Sequence, residues 1–287
     1  MMISRREALF ALSAAVPGKS FPLAICSETF PGMSFADLCA AARRIGYTGL
    51  EIDASNLGAD PSRLTPSQRA SFRRIMQDAD LRFVGFHSFL KAPPGLHLTT
   101  GDKAVRDKSW EFFGRLIEVC ASLGPKPLMV LGSGKQRTGN GVEPLIAGLA
   151  RMAPIAEQQG VTILLEPLSP QFTDTINTIA EAESVVRQIG SPALRTMLDT
   201  HNLVAEKDPH PSLVSKHLEL IRHVHLNEMD GRFPGSGSYP FTPLMQALRK
   251  HRYSGWLSVE VFDFRPDGET VARKAFEYIR QIERNLS

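Results

Sequence analysis

The strongest constraint on the fold is an alternation of short apolar segments with amphipathic segments, which repeats eight times along the chain. Each apolar segment has four to eight residues, the length of a strand buried on both faces of a parallel sheet. Each amphipathic segment carries apolar residues at helical spacing. Alternating strands and helices predict a parallel sheet joined by right-handed crossovers. Eight such units in 287 residues predict an α/β fold, a single (β/α)8 TIM barrel.

The predicted strands cover residues 23–26, 49–52, 82–89, 127–131, 161–168, 194–199, 221–226 and 256–261. The predicted helices cover residues 34–45, 66–79, 103–123, 142–159, 179–189, 213–220, 242–251 and 269–283, with Thr65 as the N-cap of the second. A doubly wound open sheet is the competing architecture, but it usually has a glycine-rich turn after its first strand, where CSETF stands here. We therefore expect one barrel domain over residues 21–287.

Residues 1–20 are left out of this domain because they have the features of an export signal. Arg5 and Arg6 precede a short apolar run, and small residues occupy positions 13–15, where cleavage could occur. Ser4 with the two arginines resembles a twin-arginine signal, whose pathway carries folded proteins. The alternative is an amphipathic helix that stays on the protein. We expect an exported, periplasmic protein if the signal is used and a cytoplasmic one otherwise.

Composition excludes several classes of function. The formal net charge of +3 includes a surplus of two from residues 1–20, so no basic surface for a nucleic-acid backbone is predicted. No run of ~20 apolar residues is present, so we expect no membrane span in the mature protein. The three cysteines lack CxxC spacing and are expected to be buried without disulfides. Self-association into a homo-oligomer is compatible with the sequence.

Four successive strands end in side chains that bind metal ions in proteins. They are Glu166 on strand five, Asp199 on strand six, His225 on strand seven and Glu260 on strand eight, separated by 33, 26 and 35 residues. Each separation is about one strand–helix unit, so the four side chains should meet at the carboxyl face, where barrel enzymes build their active sites. Singly, each has a plainer explanation: His225 could be a core histidine and Asp199 a helix N-cap. Together they predict one divalent metal ion, because buried carboxylates need a partner.

The identity of the ion follows from the donor atoms. Oxygen-rich ligation with a single nitrogen favours Mn²⁺, with Mg²⁺, Co²⁺ and Zn²⁺ as alternatives.

The segments that hold these residues are LEP (165–167), LDT (198–200), HVHL (223–226) and SVE (258–260). They resemble the four ligand segments of the xylose isomerase-like TIM barrel superfamily, in the branch of sugar phosphate isomerases and epimerases that includes the ketose 3-epimerases. The resemblance runs from residue 21 to about residue 283 and implies an enzyme acting on a small carbohydrate. It also implies that Glu166 and Glu260 are both metal ligands and the acid–base pair, whereas Asp199 and His225 are ligands only.

Such a site would transfer a proton next to the carbonyl of a ketose or related sugar. A divalent ion would stabilise the enediolate that forms when this carbon loses its proton. Returning the proton to the other face of the carbon gives epimerisation, and placing it on the adjacent carbon gives aldose–ketose isomerisation. If a β-hydroxyl is lost instead, the same site becomes a dehydratase.

Outside the metal ligands the sequence departs from that family. Phe172 stands where the family epimerases commonly have a second substrate-binding glutamate, and Asn202 stands where they have a histidine. His201 is adjacent to Asn202, and Arg232 lies one residue past the position of a frequent family arginine. Phe89 and Phe172 could form an apolar wall. The metal ligands are therefore intact, whereas the residues that would contact the sugar are altered.

Substrate contacts are expected from the strand ends and the loops that follow them. The candidate substrate-binding residues are His87, His201, Asn202, Glu228 and Arg232, with Glu51 and Gln136 also at this face. Glu228 could instead orient His225. The loops at residues 91–102 and 229–240 are long enough to act as lids.

Three other functions remain open from the sequence. A metal-dependent lyase or dehydratase acting on a keto-sugar or keto-cyclitol would use the same metal centre. A non-catalytic sugar-binding barrel would bind its ligand without exchanging protons. The zinc endonucleases that cut DNA at abasic sites share the fold but need further histidines. Here strand four ends in GSG (132–134) and Asn202 follows strand six, which disfavours that class.

Overall fold

The computed structural model describes residues 20–286, so the expected signal over residues 1–20 lies outside the described residues apart from Ser20. Eight parallel strands close into a barrel in sequence order, with the last strand pairing with the first. Helices connect consecutive strands. The (β/α)8 barrel predicted from the sequence is confirmed.

The strands are β1 Leu23–Cys26, β2 Gly49–Asp53, β3 Arg82–His87, β4 Leu128–Leu131, β5 Thr162–Leu165, β6 Leu194–Asp199, β7 Ile221–Leu226 and β8 Trp256–Val259. The α-helices are α1 Phe35–Ile45, α2 Pro66–Asp78, α3 Lys103–Leu123, α4 Glu143–Gln159, α5 Ile179–Ile189, α6 His210–His217, α7 Phe241–Lys250 and α8 Gly268–Arg284. Short 3₁₀ helices follow several strands, including Gly134–Gln136 after β4 and Thr200–Ala205 after β6.

Strands β3, β5 and β8 end two or three residues earlier than predicted. In β5 the cause is Pro167, which has no amide proton to continue the ladder beyond the bond from the Glu166 amide to the Leu131 carbonyl, 3.3 Å. As a result, Glu166 and Glu260 each occupy the first position past a strand.

Helix starts follow local capping chemistry. Thr65 is the N-cap of α2, as predicted, and forms a capping box with Gln68. Helix α6 begins at His210, three residues before the predicted start, with Pro211 in its first turn, where the missing amide proton costs no helical hydrogen bond.

The barrel interior differs between its two halves. Strands β4, β5 and β6 contribute a small apolar cluster of Val130, Leu164 and Met197. Strands β7, β8, β1 and β2 contribute buried polar side chains: His223, Ser258, Cys26 and Glu51. The outer faces of the strands pack with the helices in a larger apolar core. The polar half contains the buried contacts between Glu51 and the two histidines of β7.

Two features predicted from composition can be compared with the structure. No helix within residues 20–286 is long and apolar enough to cross a membrane. Cys26, Cys39 and Cys120 are buried free thiols, as expected.

Both long loops are tied to the barrel at fixed points. In the loop at residues 91–102, the buried Leu98 donates its amide proton to the Gln136 carbonyl at 2.7 Å and accepts a bond from the Trp110 indole at 3.1 Å. In the loop at residues 229–240, the backbone amides of Gly235 and Tyr239 donate hydrogen bonds to the Glu228 carboxylate. Their role as lids stays a prediction.

The contact between α3 and α4 offers a test of this packing. A Cβ added at Gly148 would lie 2.0 Å from atoms of the Trp110 ring, whereas one added at Gly114 would lie 3.7 Å from Met152 Sδ. We expect Gly148→Ala to lower the free energy of unfolding by about 1–3 kcal/mol through overpacking. Gly114→Ala should raise it by about 0.5–1 kcal/mol because alanine favours the helix. Urea unfolding measures both, and equal effects would contradict the packing described.

Candidate active site

The structure brings together the four side chains that the sequence places at successive strand ends. Glu166, Asp199, His225 and Glu260 are all buried, and each offers a ligand atom that lies within 4.8 Å of the other three. Asp199 and His225 are direct partners in the β6–β7 register. These four residues are called the metal-site quartet below.

A glycine on the neighbouring strand makes room for the quartet. A Cβ added at Gly132, just past β4, would lie 2.2 Å from Oε2 of Glu166. Real Cβ contacts do not become this short, so a side chain at this position would displace the carboxylate. Strand β4 therefore contributes space to the site and no side chain.

The His225 ring is held between two carboxylates. Its Nδ1 lies 3.1 Å from Glu260 Oε2 and its Nε2 lies 3.0 Å from Glu51 Oε1. Glu51 also contacts Nε2 of His223 at 2.7 Å. Burial alone would lower the pKa of His225, but Glu51 and Glu260 outweigh it and raise that pKa well above its ordinary value. Glu51, which the sequence offered without an assigned role, therefore orients His225.

The quartet carries more buried negative charge than its histidine offsets. Burial, followed by repulsion from Asp199 and Glu260, raises the pKa of Glu166 well above its usual range. Burial and Glu260 raise the pKa of Asp199. Burial would also raise the pKa of Glu260, but His225 and His87 outweigh it and hold that pKa low. A cation among these oxygen atoms would remove the repulsion.

The chemistry of the donor set fits a divalent ion. Three carboxylates and one imidazole suit Mn²⁺, Mg²⁺ or Co²⁺. Nδ1 of His225 faces the quartet, while its Nε2 is engaged by Glu51, the arrangement of a histidine ligand with a carboxylate behind it.

Asn202 and His201 both bind Asp199. The Asn202 amide nitrogen donates to Asp199 Oδ2 at 2.5 Å and to Glu166 Oε1 at 3.3 Å, and so bridges two members of the quartet. The His201 backbone amide donates to Asp199 Oδ1 at 2.9 Å. Nδ1 of the His201 ring lies 2.8 Å from the Met229 carbonyl. Because a carbonyl only accepts, this nitrogen carries a proton, and Nε2 is an acceptor whenever the ring holds a single proton.

His87 lies against the quartet at the end of β3. Its Nδ1 is 3.2 Å from Glu260 Oε1, and its Nε2 is 2.9 Å from Glu28 Oε2. Glu28, in the 3₁₀ turn after β1, is a site neighbour that sequence reasoning missed. Its position two residues past a strand end is the one signal that could have found it.

Arg137 is a second residue that the sequence did not reveal. Its guanidinium is fully buried and donates from Nη2 to the Glu166 carbonyl at 2.6 Å, while its Nε and Nη1 have no hydrogen-bond partner within residues 20–286. Burial lowers the pKa of Arg137 to about 10, so the group stays charged at neutral pH. A loop arginine is usually exposed, so nothing local marks this one as buried.

The remaining sequence candidates lie in the loop after β7. Glu228 is buried and accepts bonds from the Gly235 and Tyr239 amides, both at 2.9 Å, and therefore fixes the shape of this loop. Arg232 pairs with Asp230 at 2.8 Å and its side chain is 43% exposed. Within the described residues, neither side chain is hydrogen-bonded to the quartet.

The two phenylalanines of the expected wall have different environments. Phe89 is buried and packs on Phe113 with ring centroids 4.9 Å apart, so it belongs to the core. Phe172 is 41% exposed and lies against the His201 ring.

Comparison with known proteins places this chain in a family. Residues 39–282 match the family described as xylose isomerase-like TIM barrel. The chain belongs to this family. The sequence resemblance is thereby confirmed.

The chain is similar to several proteins that are named as sugar epimerases. The chain is 23% identical over 254 residues to the fructoselysine 3-epimerase of Shigella flexneri, covering 84% of this chain and 90% of that protein. It is 24% identical over 269 residues to the L-ribulose 3-epimerase of Methylomonas sp., covering 84% and 89%. A crystal structure of D-psicose 3-epimerase in the presence of D-fructose superposes with a TM-score of 0.78 at 20% identity, over 92% of this chain and 99% of that one. These relatives are named epimerases, which are isomerases acting on sugars.

The buried contact of Glu51 with two histidines generates a test. We expect Glu51→Gln to lower the free energy of unfolding of the metal-free protein by about 3 kcal/mol, because it breaks a buried charge pair. The histidines hold the folded-state pKa of Glu51 well below its ordinary value, against the effect of burial. The stability that ionised Glu51 contributes is therefore present at neutral pH, and it is lost as the pH falls through the folded-state pKa of Glu51.

Glu28→Gln is the matched control, since Glu28 makes the same kind of contact with a histidine at a more exposed position. It should cost about 1 kcal/mol or less. Urea unfolding at neutral and acidic pH measures both variants. A Glu51→Gln protein as stable as wild type at neutral pH would contradict the role given to Glu51.

Proposed function

We propose that this protein is a divalent-metal-dependent sugar isomerase or epimerase that moves a proton next to the carbonyl of a ketose or related sugar. The observation that carries the proposal is the quartet: four buried ligand atoms from four successive strands, all within 4.8 Å of one another. The names of the relatives, all sugar epimerases, support the same reaction class.

Glu166, Asp199, His225 and Glu260 would hold the ion, with Mn²⁺ favoured by the donor set and Mg²⁺, Co²⁺ or Zn²⁺ as alternatives. When bound, a divalent ion supplies stabilisation of the negative charge that develops on a carbonyl oxygen as the adjacent carbon loses its proton, worth several kcal/mol. Asn202 and Glu51 would keep the carboxylates and the imidazole in place for that task.

Glu166 and Glu260 are the proposed acid–base pair. They follow β5 and β8, three strands apart around the barrel, so they approach the site from different sides. His225 and His87 favour the ionised form of Glu260, which a general base requires. One carboxylate takes the proton from one side of the sugar and the other returns a proton from the opposite side, or to the neighbouring carbon.

The substrate would be a small carbohydrate held by its hydroxyl groups. His87, His201 and Asn202 border the quartet, and Nε2 of His201 is the acceptor left for a hydroxyl. Arg232 would contribute a donor from the loop after β7, and Glu228 would act by fixing the shape of that loop.

The metal proposal predicts a gain in stability on ion binding. Mn²⁺ at about 100 times its Kd should raise the free energy of unfolding of the wild-type protein by about 2.7 kcal/mol. Asp199→Asn removes one charged metal ligand and should lose most of this gain. Glu283→Gln is the control and should keep the gain, because Glu283 is a buried glutamate that accepts a hydrogen bond from the Phe21 amide, outside the quartet. Thermal unfolding and elemental analysis give the readout. Wild-type protein that retains no divalent ion after reconstitution would overturn the metal site.

The acid–base proposal predicts exchange of a carbon-bound hydrogen. In D₂O, the wild-type enzyme should place deuterium next to the carbonyl of a ketose or keto-glycoside, and Glu260→Gln should slow this by at least about 100-fold. Glu283→Gln is again the control. Nuclear magnetic resonance of the products separates epimers, isomers and dehydration products. Unchanged exchange in Glu260→Gln would remove that residue from the mechanism.

A further inference from the structure

Large apolar side chains are exposed at one end of the barrel. Within residues 20–286, those that are at least about one-third exposed are Met33, Phe172, Val204, Met229 and Phe262. Every one of them lies in a segment between a strand and the helix that follows it, and therefore at the carboxyl face. Exposed apolar surface gathered around one site, and not scattered, indicates a binding surface.

Three rings of this face form a continuous stack. The centroid of the His201 ring lies 5.6 Å from that of Phe172 and 5.2 Å from that of Phe262, with interplanar angles of 37° and 56°. Phe172 is 41% exposed and Phe262 is 53% exposed, while His201 between them is buried. We call these three residues the aromatic stack.

The aromatic stack is joined to the metal-site quartet through the backbone. Phe172 follows Glu166 in the loop after β5, and Phe262 lies two residues past Glu260. The His201 amide donates to the Asp199 carboxylate at 2.9 Å. The stack thus borders the site where the proposed reaction takes place.

Two of the three rings, those of His201 and Phe262, contact the loop after β7. The Met229 carbonyl fixes the His201 ring through Nδ1. Gly231 lies against the Phe262 ring, because a Cβ added at Gly231 would be only 2.7 Å from that ring. The Phe262 backbone amide also donates a hydrogen bond to the Gly231 carbonyl at 2.8 Å. Fixed rings lose little conformational entropy when a ligand stacks on them.

Arg265 and Arg232, the arginines nearest in sequence to Phe262 and Met229, are each paired with an aspartate. Arg265 pairs with Asp263 at 2.5 Å, and Arg232 pairs with Asp230 at 2.8 Å. A phenyl ring offers no hydrogen-bond acceptor in its plane for a sugar hydroxyl. The surface therefore suits a neutral, flat apolar group.

We propose that the aromatic stack binds an aromatic or similarly flat apolar group carried by the sugar, so that the preferred substrate is a glycoside-like keto-sugar and not a free ketose. The sugar would face the quartet while its apolar substituent lies on Phe172 and Phe262. The claim that the sugar reacts at the quartet rests on the proposed function, whereas the claim that its substituent binds rests on the aromatic stack alone.

The test compares two unreactive probes on the Mn²⁺-reconstituted full-length protein. By isothermal titration calorimetry, para-nitrophenyl β-glucoside should bind at least about tenfold more tightly than methyl β-glucoside, a difference of about 1.4 kcal/mol. Phe172→Ala and Phe262→Ala should each remove most of this ratio. Val204→Ala is the matched control, because Val204 is an exposed apolar residue at the same face that carries no ring, and it should keep the ratio. If an alanine variant does not fold, the leucine variant at that position removes the ring and keeps apolar volume.

Several results would overturn the proposal. Equal affinities of the two glucosides for the wild-type protein would show that the stack does not bind the substituent. If both ring variants keep the wild-type ratio of affinities for the two glucosides, the preference for the para-nitrophenyl group arises from residues outside the stack. A ring variant that changes the sedimentation of the ligand-free protein without changing the ratio would assign the stack to a second copy of the chain. Because the probes undergo no proton exchange, failure of the proposed reaction with every ketose would leave this measurement intact.

Discussion

The carboxyl face depends on three carboxylates that are buried within reach of one another. Like charges at this distance repel, and burial makes the repulsion stronger. The barrel holds them together through its backbone and through donors aimed at each of them: Asn202 and the His201 amide reach Asp199, while His87 and His225 reach Glu260. Glu166 receives the least help, a single long bond from Asn202. This excess of negative charge supports the proposal that the site binds a cation.

The two halves of the barrel interior have different tasks. On β4, β5 and β6 the interior is apolar and packs beneath Glu166 and Asp199. On the opposite half, Glu51 and His223 form a buried polar layer that fixes the ring of His225 from behind. The apolar half supports the carboxylates by packing, and the polar half sets the direction in which the imidazole points.

The fold and the quartet could be predicted because both follow from local periodicity. Strand–helix alternation fixes the barrel, and the carboxyl end of each strand then fixes where Glu166, Asp199, His225 and Glu260 meet. The contacts of Glu51 and Arg137 could not be predicted. Glu51 meets its histidines across 172 and 174 residues of sequence, whereas Arg137 meets the Glu166 carbonyl across 29. The Glu51 contacts depend on barrel closure, which no sequence window contains, and nothing in the sequence around Arg137 marks it as buried.

Gly132 shows what the crowding around Glu166 means for the evolution of this chain. A Cβ on residue 132 would lie 2.2 Å from the Glu166 carboxylate. Glycine is therefore required at this position for as long as Glu166 keeps its place. Exchange is easier at exposed positions of the segments after other strands, such as Phe172 and Phe262, than at buried positions that bond the carboxylates, such as Asn202. The space that one methyl group would fill thus fixes the residue at the end of β4 and leaves the exposed positions at the mouth of the barrel open to change.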